Sequence, residues 1–383
     1  MQRSRLVSAI TAAMILLAAC SGAMGSDTTT PDDSTATSEQ SVPPTTTQDV
    51  SSEACIGPMG DASVPAADVQ LSDEEIAEIQ SGGYTAAVTW AGSGPWYDAA
   101  DAGFNDALTE FEIERVASAS AEYDPAKQAT DVESAMALDP DVVLGSPVDA
   151  LAAAEAYRPV VEAGKVLVLS DNVPEGYEAG ADYVGLITGN RCESGKIMAE
   201  LMSEAIGGSG QIGMIFFEAD FYVTNVLDDS FRNSISENYP EIEIAVESGF
   251  AEEPATQEIA SAMILQNPDI EGIYVTWSVA AQGVIEALRE AGREDIQVIS
   301  HDLDSANDLV IAQEGVLYGV ATEVVHDIGY RLGHLAGYGL LGKEAPPYAT
   351  VEMIRVTKGN LAEAWQQALN TEPPPEVQQA LGG

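Results

Sequence analysis

The sequence predicts an α/β protein with two Rossmann-like lobes, each a parallel β-sheet flanked by helices, joined by a three-strand hinge. Short apolar strand patterns alternate with helical patterns along most of the 383 residues, and this order produces parallel sheets. The patterns form two successive series. Because the number of strands is too large for one comfortable open sheet, we expect one sheet per lobe.

The first strand–turn–helix unit lies within residues 82–104. Residues 84–90 form an apolar run rich in β-branched and aromatic residues, which is typical of a buried strand. Pro95 stands where the first helical position is expected. Trp96 and Tyr97 would therefore lie just outside the carboxyl end of the strand, where open α/β sheets bind ligands.

The later elements repeat this unit. Strands are predicted at 113–118, 141–145, 166–170, 183–187, 211–217, 242–248, 272–276 and 296–300. Helices are predicted at 125–138, 149–163, 190–206, 224–238, 255–266, 279–291 and 303–314. We expect the chain to cross between lobes near 187–189, 321–324 and 351–353. The expected divisions are an N-lobe of 82–187 and 324–351, a C-lobe of 188–323 and 352–370, and a tail of 371–383.

The N-terminus is typical of an exported lipoprotein. Arg3 and Arg5 precede an apolar run at 6–19 that is too short to span a bilayer. The run ends in L-A-A-C, which resembles a bacterial lipobox and implies cleavage before Cys20 and lipidation of that cysteine. An ordinary secretory signal with a chance cysteine is the alternative. Residues 1–20 are thus expected to direct lipid anchoring on the outer face of the cytoplasmic membrane.

Two segments are expected between this signal and the first strand. Residues 21–52 are rich in Ser, Thr, Pro and Asp, and they lack the large apolar side chains that would offset the entropy of ordering, so a disordered linker is predicted. Residues 53–81 are expected to form an N-terminal extension with a short helix, because Ser72 and Glu75 have the spacing of a capping box.

Two cysteines remain once Cys20 is assigned to lipid. Export places the protein in an oxidising compartment, so Cys55 and Cys192 are candidates for a disulfide. The bond would pin the segment before the first lobe to the start of the helix after Asn190. Two unpaired thiols are the alternative.

The charge balance excludes one class of partner. Lys plus Arg number 15 against 62 Asp plus Glu, a formal net charge of −47. Phosphate binding needs a basic footprint, so nucleic acid is not an expected partner.

Polar and aromatic side chains follow the later strands. They are Asp171, Asn172, Asn190, Asn225, Trp277 and Asp302. Rings offer apolar faces for stacking, while carboxylates and amides accept and donate hydrogen bonds. A mouth that combines both suits a small polyhydroxylated molecule. Any single Asp or Asn could instead cap a helix, so the ligand site is predicted from these residues taken together.

Residues 82 to about 370 resemble the substrate-binding proteins of ABC sugar importers, of the ribose-binding type I class. SGPWYDAADAGF resembles the first loop of that family, in which an aromatic pair stacks on the sugar ring, and Trp96 and Tyr97 match the pair. LSDN resembles the Asp-Arg at the end of the fourth strand, so Asp171 matches the Asp. VISHDLD resembles a strand that ends in Phe-Asp, so Asp302 matches its ligand Asp.

Other positions depart from the family pattern. Asn225 begins a segment that falls at a polar-x-Arg element, but Leu227 replaces the Arg. Asn172 replaces the other family Arg. Trp277 stands in the place of a ligand Asn, and Glu323 in the place of a Gln beside the hinge.

These departures predict a site with three carboxylates, Asp171, Asp302 and Glu323, and no basic partner. Unpaired buried carboxylates are costly, so they would share protons and waters, or the ligand would bring positive charge. A neutral sugar or polyol is the first expectation. An amine-bearing ligand such as an aminopolyol is the alternative, with the aromatic rings as cation–π faces.

The sequence patterns that could indicate an enzyme are incomplete. Gly92-Ser93-Gly94 hints at a dinucleotide loop, but Tyr97 stands where the third glycine is needed. None of the 3 His lies in a Ser-His-Asp order with a nucleophile elbow. His301, Asp302 and Asp304 lack the further ligands that a zinc-type site needs. We therefore expect no catalytic residues, metal or cofactor.

The resemblance implies a monomeric binding protein that closes on its ligand by a hinge motion. Its closed form would be recognised by an ABC permease, and its lipid would hold it at the membrane. A lipoprotein receptor that passes a sugar or other small signal to a membrane sensor is the alternative role.

Overall fold

The computed structural model describes residues 54–218 and 221–382, which fold into two lobes with one β-sheet each. The predicted signal peptide, Cys20 and linker lie outside these residues. All strand pairs are parallel except one at the edge of the second sheet, and helices flank both sheets. The predicted fold class is confirmed.

The N-lobe sheet has seven strands. In spatial order they are β1 (Val64–Pro65), β12 (Tyr348–Val351), β6 (Leu186–Gly189), β5 (Val166–Ser170), β4 (Val142–Gly145), β2 (Thr85–Trp90) and β3 (Glu114–Ser120). The strands at the centre of the sheet are buried on both faces and carry nearly continuous Val, Leu and Ala, as parallel strands covered by helices require.

The C-lobe sheet has six strands. In spatial order they are β13 (Met353–Thr357), β11 (Leu317–Glu323), β10 (Gln297–His301), β9 (Ile270–Val275), β7 (Gly210–Phe217) and β8 (Ile242–Phe250). The edge strand β13 pairs with β11 in antiparallel register. It is the last strand of the chain and returns from the N-lobe.

Thirteen α-helices lie within the described residues. Those that flank the N-lobe sheet are α1 (Asp73–Gln80), α2 (Pro95–Glu110), α3 (Pro125–Met136), α4 (Ala150–Ala156), α5 (Arg158–Glu162) and α11 (Val325–Leu340). The others are α6 (Arg191–Ile206), α7 (Tyr222–Asn238), α8 (Thr256–Gln266), α9 (Ser278–Ala291), α10 (Ser305–Ala312), α12 (Leu361–Leu369) and α13 (Pro375–Leu381). None of these helices is both long enough and apolar enough to cross a membrane.

The observed elements differ from the predicted ones in two helical regions. The helix expected at 149–163 is divided into α4 and α5 at Tyr157, because Pro159, in the first turn of α5, has no N–H to continue the first helix. The stretch expected as a tail contains α13, whose Val377 is fully buried.

The N-terminal extension is part of the N-lobe. Its strand β1 extends the sheet through β12. The predicted capping box begins α1, since Ser72 Oγ accepts the Glu75 N–H at 3.3 Å and the Glu75 carboxylate accepts the Ser72 N–H at 2.8 Å.

Three segments connect the two sheets. The chain leaves β6 of the N-lobe and enters α6 of the C-lobe at Asn190. It returns from β11 to α11 at Val324, and it crosses a third time between β12 and β13 at Glu352. All three segments therefore pass the mouth formed by the carboxyl ends of β5 and β10.

Helices α2 and α11 pack at very short range. A Cβ placed on Gly103 would lie 1.9 Å from the backbone oxygen of His326, and one on Gly329 would lie 1.8 Å from that of Ala100. Only glycine allows this approach. The packing matters for the site because α2 begins with Pro95 and carries the aromatic pair in its first turn.

Candidate functional site

Two aspartates occupy equivalent positions in the two lobes. Asp171 directly follows β5, and Asp302 directly follows β10. Both have left-handed backbone conformations, with φ of 65° and 68°. This region is uncommon for residues other than glycine, and such strain is often found at binding sites. The turn places each carboxylate at the carboxyl end of its sheet, as the sequence predicted.

Asp171 is buried in a polar nest of the N-lobe. Its Oδ1 accepts a hydrogen bond from Thr188 Oγ1 at 2.9 Å, and its Oδ2 accepts one from Ser170 Oγ at 3.0 Å. Burial raises the pKa of Asp171 to about 6, although Arg191 and the Thr188 hydroxyl act in the opposite direction.

Asn172 is buried beside this carboxylate, with 4% of its surface exposed. Its Oδ1 accepts the N–H of Val173 at 3.0 Å. Among the described residues, its Nδ2 has no hydrogen-bond partner. A buried amide donor without a protein partner is costly unless a ligand or water accepts its hydrogen bond.

A buried arginine lies between the carboxylates of the two lobes. Arg191 Nη2 is 2.7 Å from Glu323 Oε1 and 3.8 Å from Asp171 Oδ1. Arg191 is the first residue of α6, directly after the first crossing segment, and Glu323 ends β11 at the second. The expectation that the carboxylates have no basic partner is therefore wrong. The positions of the two family arginines hold Asn172 and Leu227, whereas this guanidinium comes from a different element, the start of α6.

His301 extends the charge network into the C-lobe. Its Nδ1 lies 2.7 Å from Asp302 Oδ1, and its Nε2 lies 3.1 Å from Arg191 Nη1. Burial alone would raise the pKa of Asp302, but His301 lowers it below its usual value, with a smaller effect from Arg191. Asp302 is thus held as an anion at the mouth of the cleft.

His301, Asp302 and Glu323 also bring one ligand atom each to within 4.8 Å of one another, a spacing that a metal ion could use. The Arg191 guanidinium already lies among them, because its Nη1 contacts both His301 Nε2 and Glu323 Oε2, the latter at 3.3 Å. The protein itself therefore supplies a positive charge among these acids. We assign the group to a charge network between the lobes.

The N-lobe contributes a cluster of aromatic rings. Trp96 and Tyr97 contact each other edge to face with ring centroids 5.0 Å apart, and both rings contact Trp90 from the end of β2. Trp96 Nε1 donates a hydrogen bond to Glu323 Oε1 at 2.9 Å, which connects the aromatic pair to the hinge. Tyr97 donates its hydroxyl to Tyr123 at 3.1 Å.

The C-lobe contributes Trp277, the residue between β9 and α9. Its ring lies 5.0 Å from that of Phe217 and 4.9 Å from that of Phe250. Its Nε1 donates to Glu253 Oε1 at 2.7 Å, which fixes the orientation of the indole. The ring is partly exposed, so one part remains available for contact.

Tyr97 and Tyr123 of the N-lobe lie within electrostatic range of acids on the C-lobe. Burial, with smaller contributions from the negative charges of Glu253 and Asp302 on the C-lobe, raises the pKa of Tyr123 to about 12. Burial also raises the pKa of Tyr97 well above its usual value, with contributions from Asp171 and Asp302. Acids of both lobes therefore act on the same pair of phenols.

Asn225 lies near the start of α7. It lines a cavity of about 510 Å³ in the C-lobe, between β7 and α7. The other residues that line this cavity are Phe216, Phe217, Glu218, Asp228, Asp229 and Arg232. Phe217 connects this cavity to the main site, because its ring also contacts Trp277.

Most predicted site residues are brought together, and the sequence reasoning missed several of their neighbours. Trp96, Tyr97, Asp171 and Asn172 come from the N-lobe, Trp277 and Asp302 from the C-lobe, and Glu323 from the hinge. Arg191, Tyr123 and Glu253 were not predicted as site residues. A signal for Arg191 was available, since it is one of only 15 basic residues and directly follows the predicted crossing.

The structure also contains the predicted disulfide. Cys55 and Cys192 are bonded, with Cα atoms 5.7 Å apart. Cys55 is buried at the start of the N-terminal extension, and Cys192 lies in the first turn of α6. The bond therefore lies one residue away from Arg191 in the chain.

The fold and this cleft define a two-lobed solute-binding protein, and comparison with known proteins agrees. Residues 85–344 match the family described as periplasmic binding protein domain. The match covers more than half of the chain, so the chain belongs to this family. Proteins of this family act outside the cytoplasm and bind solutes.

Individual relatives are more distant. The D-ribose/D-allose-binding protein of Pseudomonas aeruginosa is 25% identical over 189 residues, which cover 47% of this chain and 57% of that protein. The chain thus aligns with little more than half of this curated relative.

Two solved structures share the fold. An Agrobacterium radiobacter carbohydrate transporter solute-binding protein, in complex with D-arabinose, is 19% identical with a TM-score of 0.66, covering 75% of this chain and 99% of that one. A Bacillus halodurans ABC transporter solute-binding protein with bound myo-inositol is 18% identical with a TM-score of 0.64, covering 74% and 98%.

Proposed function

We propose that this chain is an extracytoplasmic solute-binding lipoprotein that captures a small sugar or polyol between its lobes and delivers it to an ABC importer permease. One observation carries the proposal. The Trp96 ring and the left-handed aspartates of both lobes lie around Arg191, Glu323 and His301, where the chain crosses between lobes. A ligand held there touches both lobes and the hinge at once.

Each group has a role suited to a polyhydroxylated ligand. The rings of Trp96, Tyr97 and Trp277 would cover its apolar C–H faces. The carboxylates of Asp171 and Asp302 would accept hydrogen bonds from its hydroxyls, and charged acceptors make the stronger bonds.

The amide of Asn172 would supply the matching donor. Its Nδ2 is buried without a protein partner in the described part of the chain, so a ligand hydroxyl would relieve that cost. A sugar hydroxyl can accept this hydrogen bond while it donates another to a carboxylate.

The charge of the site favours a neutral ligand. Arg191 places a positive charge against Glu323 and near Asp171, at acids that would otherwise attract a cation. An amine-bearing ligand was expected for a site with no basic partner, and Arg191 supplies one. Relatives and structural neighbours described as binding ribose or allose, arabinose and myo-inositol support the same chemical class.

Binding would be coupled to closure. Open and closed forms exchange by bending at the three crossing segments, and a ligand that contacts both lobes stabilises the closed form by its extra affinity for it. The closed surface would be the one that the permease recognises. No step of this cycle changes the ligand covalently.

The location follows from the sequence of the N-terminus. Cys20 would carry the lipid, and residues 21–52 would separate the folded lobes from the membrane. Mass spectrometry of the protein isolated from its native host tests this part separately. Lipidation of Cys20 supports anchoring, whereas a mature protein that starts elsewhere excludes it.

Isothermal titration calorimetry with a ligand panel tests the proposed class. The neutral arm contains D-ribose, D-allose, D-arabinose and myo-inositol, and the cationic arm contains amino sugars and aminopolyols of matching size. We expect saturable binding to at least one neutral compound. Binding confined to the cationic arm, or no binding to either arm by folded protein, would contradict the proposal.

Variants then locate the site. Trp277→Ala and Asp302→Asn are each expected to weaken binding of the best neutral compound by about tenfold or more, a loss of about 1.4 kcal/mol. Leu265→Ala is the matched control, because this side chain is 83% exposed on α8. Equal affinity in the control and in both site variants would place the ligand elsewhere.

A further inference from the structure

The N-terminal segment 55–65, here called the strap, is attached to both lobes. Its last two residues form β1, which pairs with β12 at the edge of the N-lobe sheet. Its first residue, Cys55, is bonded to Cys192 in the first turn of α6 in the C-lobe. The strap is therefore a covalent path between the lobes that does not use any of the three crossing segments.

The strap has little slack between its two attachments. It is folded as a hairpin in which Ile56 and Ala62 form an antiparallel bridge. The Ser63 N–H donates to the Cys55 carbonyl at 2.8 Å, and the Cys55 N–H donates to Ser63 Oγ at 3.1 Å. Cys55 is thus held beside the residue that precedes β1, so the connection from the N-lobe sheet to the disulfide is short.

Noncovalent contacts around the strap also join the lobes. Tyr222, the first residue of α7 in the C-lobe, donates its hydroxyl to the Ile56 carbonyl at 2.5 Å. Its ring contacts that of Tyr348 in β12 of the N-lobe, with centroids 6.4 Å apart. The Tyr348 ring in turn covers Gly57, where an added Cβ would lie 2.8 Å from it.

We propose that the strap is a fourth interlobe connection that limits how far the cleft opens. The three crossing segments can bend by rotation about a few backbone torsions, which is the usual basis of hinge motion. A short covalent link between one sheet edge and the opposite lobe restricts the separations and twists that this bending can reach. The ligand-free protein then samples a narrower range of open forms.

This limit acts on the fold itself and does not depend on which ligand the cleft takes. Its test therefore uses ligand-free protein, so that failure of the proposed ligand class and failure of the strap proposal are separate results. Nitroxide labels on p-acetylphenylalanine at Leu151 in α4 and Leu265 in α8 report the interlobe distance without added cysteines. Both side chains are well exposed, at 69% and 83%.

Double electron–electron resonance is measured on three full-length proteins that carry these labels. The first retains the disulfide. The second is Cys55→Ser/Cys192→Ser. The third has a protease site inserted between Gly60 and Asp61 and is cleaved after folding, so that the disulfide remains but the strap is severed. We expect the second and third proteins to show broader distributions that extend to longer distances than the first.

The third protein distinguishes loss of the interlobe connection from loss of the local stabilisation that the disulfide provides. If severing the strap leaves the distribution unchanged, the strap does not limit opening and the proposal fails. The same conclusion follows if the distance distribution broadens only in the cysteine variant, because the broadening then reflects the loss of the disulfide's local effect. Should the cysteine variant fail to unfold cooperatively in circular dichroism, the cleaved protein, which folds before it is cut, decides the question.

Discussion

Replacing Arg191 by methionine tests the charge network at the hinge. The side chain is 8% exposed and contacts Glu323, His301 and Asp171, and Glu323 is completely buried. Removing one partner of a buried ion pair leaves an uncompensated charge, which costs about 3–5 kcal/mol. We expect the free energy of unfolding of Arg191→Met to fall by this amount at pH 7.5, measured by urea denaturation.

The loss has a pH dependence whose sign follows from Asp171. Arg191 opposes the effect of burial on this carboxyl, so its removal raises the pKa of Asp171 further above about 6. The native variant then binds a proton that the unfolded chain releases near its ordinary pKa of about 4, so lower pH favours the native state. The destabilisation should therefore be smaller at pH 5 than at pH 8.

Two further variants complete the experiment. Arg191→Met/Glu323→Gln should recover much of the lost stability, since it removes both members of the pair. Arg289→Met is the matched control because Arg289 is 71% exposed and its ion pair with Glu286 lies in solvent, where such pairs contribute little to stability. A loss below about 1 kcal/mol in Arg191→Met, with no dependence on pH, would refute the reasoning.

Three other predictions follow from single contacts. Relative to the parent protein, Asp171→Asn should be more stable at pH 7.5 than at pH 4 by roughly 2–3 kcal/mol in the free energy of unfolding. In the parent, a buried acid with a pKa raised to about 6 stabilises the fold below pH 4 and loses that contribution as the pH rises through 6. The same difference between variant and parent at pH 4 and pH 7, measured by urea denaturation, would contradict this. Gly329→Ala should cost about 3 kcal/mol or more in thermal unfolding, since its Cβ would overlap the α2 backbone, whereas Gly359→Ala, whose nearest neighbour is 3.8 Å away, should be nearly neutral. Trp96→Phe should weaken calorimetric binding of the best neutral compound by less than about tenfold, because it keeps a ring and loses only the hydrogen bond to Glu323, while Trp96→Ala should lose more; equal affinities for both would exclude stacking.

Features that depend on local sequence could be predicted. Pro95 and the apolar run before it located the aromatic pair at a strand end, because both signals act within a few residues. Asp171 and Asp302 were located in the same way, at the ends of regular strands. The capping box at Ser72 is local too, and its two hydrogen bonds are present.

Features that depend on packing between distant segments could not be predicted. Arg191 meets Glu323 only because two crossing segments lie side by side, although the two residues are 132 positions apart in the chain. No periodic pattern carries that information. The lobe divisions and the individual ligand contacts remain predictions for the same reason, since they depend on which strand ends face each other when a ligand is bound.

The close glycine contact between α2 and α11 has a mechanical consequence. α11 starts one residue beyond Val324, the second point at which the backbone changes lobes, and α2 starts one residue before Trp96. The backbone contacts at Gly103 and Gly329 hold the two helices together as one unit. Because α11 follows the second crossing segment and α2 carries Trp96 and Tyr97, this helix pair links the crossing at Val324 to the aromatic pair.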